Sequence, residues 1–99
     1  MAAQTTTISL TRDTWTSITA NSLAALTAQN SGKNDVYILA TVANTAPTGG
    51  PKGIRLKPGI GIDSTKTLAE LFPGLATPAY VFAYCEASAG TIFVSHAAS

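Results

Sequence analysis

Charge is scarce in this sequence. Of 99 residues six are basic and five acidic, 11% in all, where ordinary soluble domains carry roughly 25%. The net charge of +1 and the pI of 7.9 are too small for the counterion-release attraction on which nucleic-acid binding rests, so no nucleic-acid partner is expected. With a single cysteine the chain can form neither an intramolecular disulfide nor a thiolate zinc cluster. No run approaches the roughly 18 apolar residues a bilayer crossing needs, and Met1-Ala-Ala-Gln-Thr-Thr-Thr lacks the basic and apolar regions of a signal peptide. The expectation is a soluble chain made in the cytoplasm, without membrane contact.

Thr, Ala, Ser, Gly and Pro lie between short apolar runs, without repeats. A folded monomer of 10.1 kDa has roughly 5,300 Å² of surface and buries about two thirds of its unfolded area, enough for one domain over residues 1–99. That leaves roughly 480 Å² of surface per charge. Neutral residues or partners must cover the rest.

The residues alternate or cluster as β-strands. Residues 5–10 are β-branched and alternating, 15–20 read as a second strand, and 23–29 as a third, although their Ala and Leu favour helix locally. Residues 36–42, Val-Tyr-Ile-Leu-Ala-Thr-Val, form a nearly continuous apolar run expected of a central strand. Two prolines and three glycines exclude residues 44–53 from a sheet, making them a long surface loop. Short strands are expected at 54–56 and 60–62. Residues 64–72 change pattern: Thr67 and Glu70 have capping-box spacing, Leu68, Leu71 and Phe72 share a helical face, and Pro73-Gly74 ends the segment.

Residues 79–85 and 91–96 read as a hairpin joined by 86–90. Pairing Cys85 with Thr91 sets Tyr80, Phe82 and Tyr84 opposite His96, Val94 and Ile92 on a shared core face. The opposite face, with Val81, Ala83 and Cys85 against Phe93 and Ser95, is also largely apolar and calls for a second sheet or another subunit. Seven to eight short antiparallel strands with turn signals imply an all-β chain, a small β-sandwich or barrel, with one short helical segment near 64–72.

No constellation for chemistry stands out, so no enzyme, metal or cofactor is expected. Cys85 and His96 are the only nucleophile–base candidates, and the hairpin register sets them on opposite faces. Asp13, Asp35, Asp63, Glu70 and Glu86 lie singly, without ligand spacing. Gly32-Lys33-Asn34 lacks the other elements of a P-loop, and Gly59-Ile-Gly61 lacks the third glycine and helix of a dinucleotide fingerprint. Lys52, Arg55 and Lys57 form the one basic cluster, with Arg55 and Lys57 spaced to share a strand face: a solvated edge or a contact with an acidic partner. Trp15 either anchors one end of the core or stacks on a sugar or partner. Tyr37, Tyr80 and Tyr84 pose the same choice. The residues singled out for an interface are Trp15, Arg55, Lys57, Val81 and Phe93.

Four segments together resemble small structural proteins of tailed bacteriophages: Trp15-Thr-Ser-Ile-Thr-Ala20, the Gln29-Asn-Ser31 corner, the loop leading to Gly53-Ile-Arg-Leu-Lys-Pro-Gly59, and Val81-Phe-Ala-Tyr84. The helical segment at 64–72 departs from that pattern. The resemblance implies a compact, non-enzymatic β-sandwich or barrel, similar to head decoration (cement), head fibre and tail accessory proteins. Implied with it are a place in the virion, a major capsid protein or other virion component as partner, and a homo-oligomer, trimer or dimer. The low charge agrees with a surface shared among copies or on a lattice. The expected role is a capsid decoration protein that bridges capsomers. The alternative is a carbohydrate-binding or receptor-binding module of a fibre or tail, with Trp15 and a tyrosine as stacking platform.

Overall fold

The computed structural model of the chain describes residues 4–19, 25–50, 52–63, 67–75, 78–86 and 90–96. They form eight strands, β1 (Gln4–Leu10), β2 (Thr16–Ser17), β3 (Thr27–Asn30), β4 (Val36–Thr41), β5 (Ile54–Leu56), β6 (Gly61–Ile62), β7 (Tyr80–Cys85) and β8 (Gly90–His96), and one helical turn, α1 (Leu68–Leu71). Two antiparallel sheets, in the orders β1-β8-β3-β6 and β2-β7-β4-β5, face each other as a β-sandwich. The sheets do not close into a barrel. The accessible surface of 5082 Å² is near the roughly 5,300 Å² expected of a compact monomer.

Period-two alternation decides which side chains enter the space between the sheets. In β4, Val36, Ile38 and Ala40 are buried while Tyr37, Leu39 and Thr41 turn outward. They meet Val81, Ala83 and Cys85 of β7, Leu56 of β5, and Leu10, Ala28, Ile92 and Val94 from the other sheet. Leu68 of α1 joins this core fully buried. The Thr67–Glu70 capping box is present in both directions, as its spacing requires, and the helix ends after one turn. Residues 64–66, the start of the expected helical segment, lie outside the described residues. So do 20 and 23–24, at the end of the second and the start of the third expected strand.

The expected hairpin at the end of the chain is not formed. β7 pairs with β4 and β2, whereas β8 pairs with β1 and β3, so the chain crosses from one sheet to the other between Cys85 and Gly90. Among the described residues only β4 and β5 are consecutive strands paired in one sheet. The reason lies in β7, which is apolar on both faces. Val81, Ala83 and Cys85 fill the space between the sheets, and Tyr80, Phe82 and Tyr84 point the other way. The opposite sheet covers the first set, and Trp15 with the loop at Gly49 lies over the second. At the crossing Gly90 packs against Cys85, where a Cβ would stand 2.5 Å from the thiol sulfur. The glycine ending the loop therefore serves close contact between layers.

Expected and observed strands also differ in length. Of residues 15–19 only Thr16–Ser17 pair as a strand; Ile18, buried in the core, still donates its N–H to the Val81 carbonyl. Residues 54–56 match β5, and residues 42–50 with 52–53 contain no strand.

Candidate interaction faces

Each sheet turns one face outward, and the two faces differ in chemistry. The outer face of β2-β7-β4-β5 is aromatic. Trp15, Phe82 and Tyr84 form a second buried cluster, with Tyr37, Leu39 and Tyr80 packed against it. Register places Tyr37 beside Tyr84 and Leu39 beside Phe82. The Trp15 and Tyr84 rings lie 5.1 Å apart at 50°, a tilted geometry favourable for the ring quadrupoles. The long loop between β4 and β5 reaches this face, where the carbonyl of Gly49 accepts the Trp15 indole N–H at 3.3 Å. Trp15 is 9% exposed and so offers no open stacking plane.

Tyr84 donates its hydroxyl to Asp13 Oδ1 at 3.3 Å. Asp13 is the one described non-glycine residue at positive φ, +55°, a conformation Asp tolerates better than most. Its N–H reaches the Cys85 carbonyl at 2.8 Å, tying the 11–14 turn to β7. Burial, and then the Asp13 charge, raise the Tyr84 pKa above its ordinary value of 10.0. Because the folded pKa lies above the unfolded one, this stabilisation is complete below about pH 10 and is lost as pH rises through the folded pKa. Tyr84→Phe is accordingly expected to blunt the alkaline loss of stability, read from urea midpoints between pH 9 and 11. An unchanged alkaline limb would show that Tyr84 does not carry it.

The outer face of β1-β8-β3-β6 is neutral throughout. It presents Thr5, Thr7 and Ser9 of β1, Thr91, Phe93 and Ser95 of β8, Thr27 and Gln29 of β3, and Gly61 of β6, with no charge among them. Phe93 stands in the middle, flanked by Thr7 on one side and Gln29 on the other. Several polar groups around it are already bonded within the molecule: Thr5 with Ser95 at 3.0 Å, Ser31 with Thr91 at 3.1 Å, and Gln29 Nε2 to the Gly59 carbonyl at 2.9 Å. A partner covering this face would strand few donors or acceptors, which keeps its desolvation cost low.

The five residues singled out from sequence fall in different environments. Phe93 is half-buried at the centre of the neutral face, and Trp15 lies in the aromatic cluster of the other sheet. Val81 is fully buried between the sheets, so the fold corrects its place in an interface: the second sheet, not another subunit, covers its side of β7. Arg55 lies on the aromatic side of β5 beside Tyr37, paired through its guanidinium with Asp35. That contact and the Asp35 charge raise its pKa above the ordinary guanidinium value, and the guanidinium stays charged at every ordinary pH. β5 ends at Leu56, so Lys57 lies beyond the strand, where its carbonyl accepts the Ile60 N–H in a turn. The basic cluster is therefore an ion-paired strand residue plus exposed lysines at the loop and turn.

Cys85 and His96 both turn toward the interior, which corrects the expectation of opposite faces. Cys85 packs on Gly90 at the start of β8 and His96 ends that strand, about 20 Å away at strand rise. Among the described residues no three of His, Cys, Asp and Glu come together as a metal-binding group, and no helix is long and apolar enough to cross a membrane. Thr7 and Gln29, the flanks of Phe93, were not singled out from sequence. The signal for them was the outward set Thr5, Thr7 and Ser9 repeated as Thr91, Phe93 and Ser95, visible only once β1 and β8 are known to pair.

Comparison of the chain with protein-family models, with curated proteins and with solved structures returned no match.

Proposed function

We propose that this chain is a non-enzymatic structural protein that docks on a larger assembly, and more specifically that it decorates a virion head and bridges capsomers. The observation that carries the docking part is the uncharged outer face of the first sheet, with Phe93 at its centre and neighbouring polar groups bonded internally. A charge-free four-stranded surface of this kind holds one large aromatic side chain, and depletion of charge around a central aromatic is a mark of interface cores. The virion part rests on the sequence resemblance, and the charge-poor composition agrees with it. The carbohydrate-binding alternative has less support, because its stacking residue Trp15 is buried and its indole N–H is bonded to the Gly49 carbonyl.

Cosedimentation with assembled heads stripped of this protein tests the reading. Phe93→Ala is expected to weaken binding about 30-fold, the equivalent of roughly 2 kcal/mol at an interface anchor, while Arg55→Ala leaves it unchanged. Absence of wild-type protein from the particle fraction would sink the proposal. Binding lost with Arg55→Ala but kept with Phe93→Ala would move the contact to the other sheet.

A further inference from the structure

The four sheet edges are not alike. β2, β5 and β6 end their sheets with two, three and two residues, whereas β1 ends its sheet with seven. β1 pairs with β8 along its whole length, and among the described residues no strand lies on its other side. An edge of that length presents a row of backbone N–H and C=O groups to any extended chain. Natural edges are usually blocked by lysine, other charges, proline or a bulge. β5 follows that practice, with Arg55 in the strand and Lys57-Pro58 after it. The sequence of β1, Gln-Thr-Thr-Thr-Ile-Ser-Leu, contains no charge and no proline, and its register with β8 runs without a bulge.

We propose that β1 pairs antiparallel with β1 of a second copy of this chain across a two-fold axis, joining two four-stranded sheets into one of eight. The argument for a second copy is self-complementarity. A two-fold contact requires the strand to match its own reverse. Centred on Thr7, the pairing sets Thr7 opposite its own counterpart and Thr5 opposite Ser9 on the outer face, with Thr6 opposite Ile8 on the inner one. Every outward pair is hydroxyl against hydroxyl, a favourable cross-strand combination, and no pair opposes like charges. An unrelated strand would need no such symmetry in the sequence. Thr7 is also the register partner of Phe93. Pairing at Thr7 therefore puts both copies of Phe93 on one row of a continuous neutral face, three strand spacings or about 14 Å apart. The inference goes beyond the docking role and concerns the isolated chain, so it stands or falls without any particle.

Sedimentation velocity across a concentration series tests it, with Thr7→Lys and Thr7→Glu as the variants. Thr7 is exposed on the outer face, so neither change enters the core. The wild-type chain is expected to dimerise. Each variant alone should dimerise at least about tenfold more weakly, because like charges then face each other across the axis, and an equimolar mixture of the two should recover the dimer. If circular dichroism shows either variant unfolded, the double variants Thr5→Lys/Ser9→Lys and Thr5→Glu/Ser9→Glu replace the pair, since positions 5 and 9 face each other in the same register and like charges then oppose across the axis. A wild-type chain monomeric up to its solubility limit would overturn the proposal, as would folded variants that dimerise like the wild type.

Discussion

Asn30→Ala is expected to destabilise the fold by about 3 kcal/mol and to lower Tm by roughly 15 °C. Asn30 ends β3 and is 1% exposed. Its side-chain Nδ2 donates to the carbonyls of Asn34 at 2.7 Å and Leu56 at 2.8 Å, and its Oδ1 accepts the Gly32 N–H at 3.0 Å. Its backbone N–H donates to the Ile60 carbonyl, and its own carbonyl accepts from Gly59. The side-chain amide thus ties the 31–35 turn and β5 of the opposite sheet to the end of β3, while the backbone of the same residue holds the 57–60 turn. Alanine leaves the buried Leu56 carbonyl and two part-buried groups, the Asn34 carbonyl and the Gly32 N–H, without that partner, each costing about 1 kcal/mol. Asn30→Asp is expected to be worse at neutral pH, because it sets carboxylate oxygens against two carbonyls that need a donor. The folded-state pKa of that Asp would rise above its unfolded value near 3.9. Stability of the variant is then greatest below about pH 4 and falls as pH rises toward the folded pKa. Urea unfolding of both variants at pH 3.5 and 7 reads this directly. A loss under about 1 kcal/mol for Asn30→Ala would show that water takes over the amide's role.

Gly53→Ala carries the second large expected effect, about 3 kcal/mol or more, against about 1 kcal/mol for Gly49→Ala. Both glycines lie in the β4–β5 loop at nearly the same backbone angle, φ +97° at Gly53 and +89° at Gly49. Alanine meets a comparable penalty for positive φ at each, about 1–2 kcal/mol. The difference is the surroundings. A Cβ on Gly53 would stand 2.1 Å from the Ile38 carbonyl oxygen, while one on Gly49 would meet nothing within 4 Å. Ile38 is fully buried in β4 and pairs with Ile54, the first residue of β5. Relief of the clash at Gly53 must open the start of the β4–β5 ladder, a backbone shift that cores tolerate poorly. Equal midpoint shifts for the two variants in thermal unfolding would refute the close approach.

Alternation in the sequence located most strands but could not assign their partners. β4 and β5 were legible as strands because both are largely apolar or β-branched runs bounded by a loop that its prolines and glycines exclude from a sheet. The capping box of Thr67 and Glu70 was legible because a helix start is a local event, written within four residues. The β7–β8 pairing was misread because both strands are apolar enough to sit in either sheet, and a short loop between strands favours a hairpin. Asn30 belonged to a run of turn-forming residues, and nothing in that run marked it as the residue whose amide would be buried. Its partner Leu56 lies far along the chain, in the opposite sheet.

The same division holds for the candidate interfaces. The sequence by itself determined a charge-poor, all-β chain with too few reactive side chains to announce a catalytic centre, because composition and strand periodicity are local quantities. Only the tertiary structure decided which surface is neutral and which is aromatic. Those properties depend on sheet order and on which side of each strand faces the core. Packing between the sheets turned Val81 inward, brought Gly49 to Trp15, and left Phe93 at the centre of an uncharged face beside an open edge.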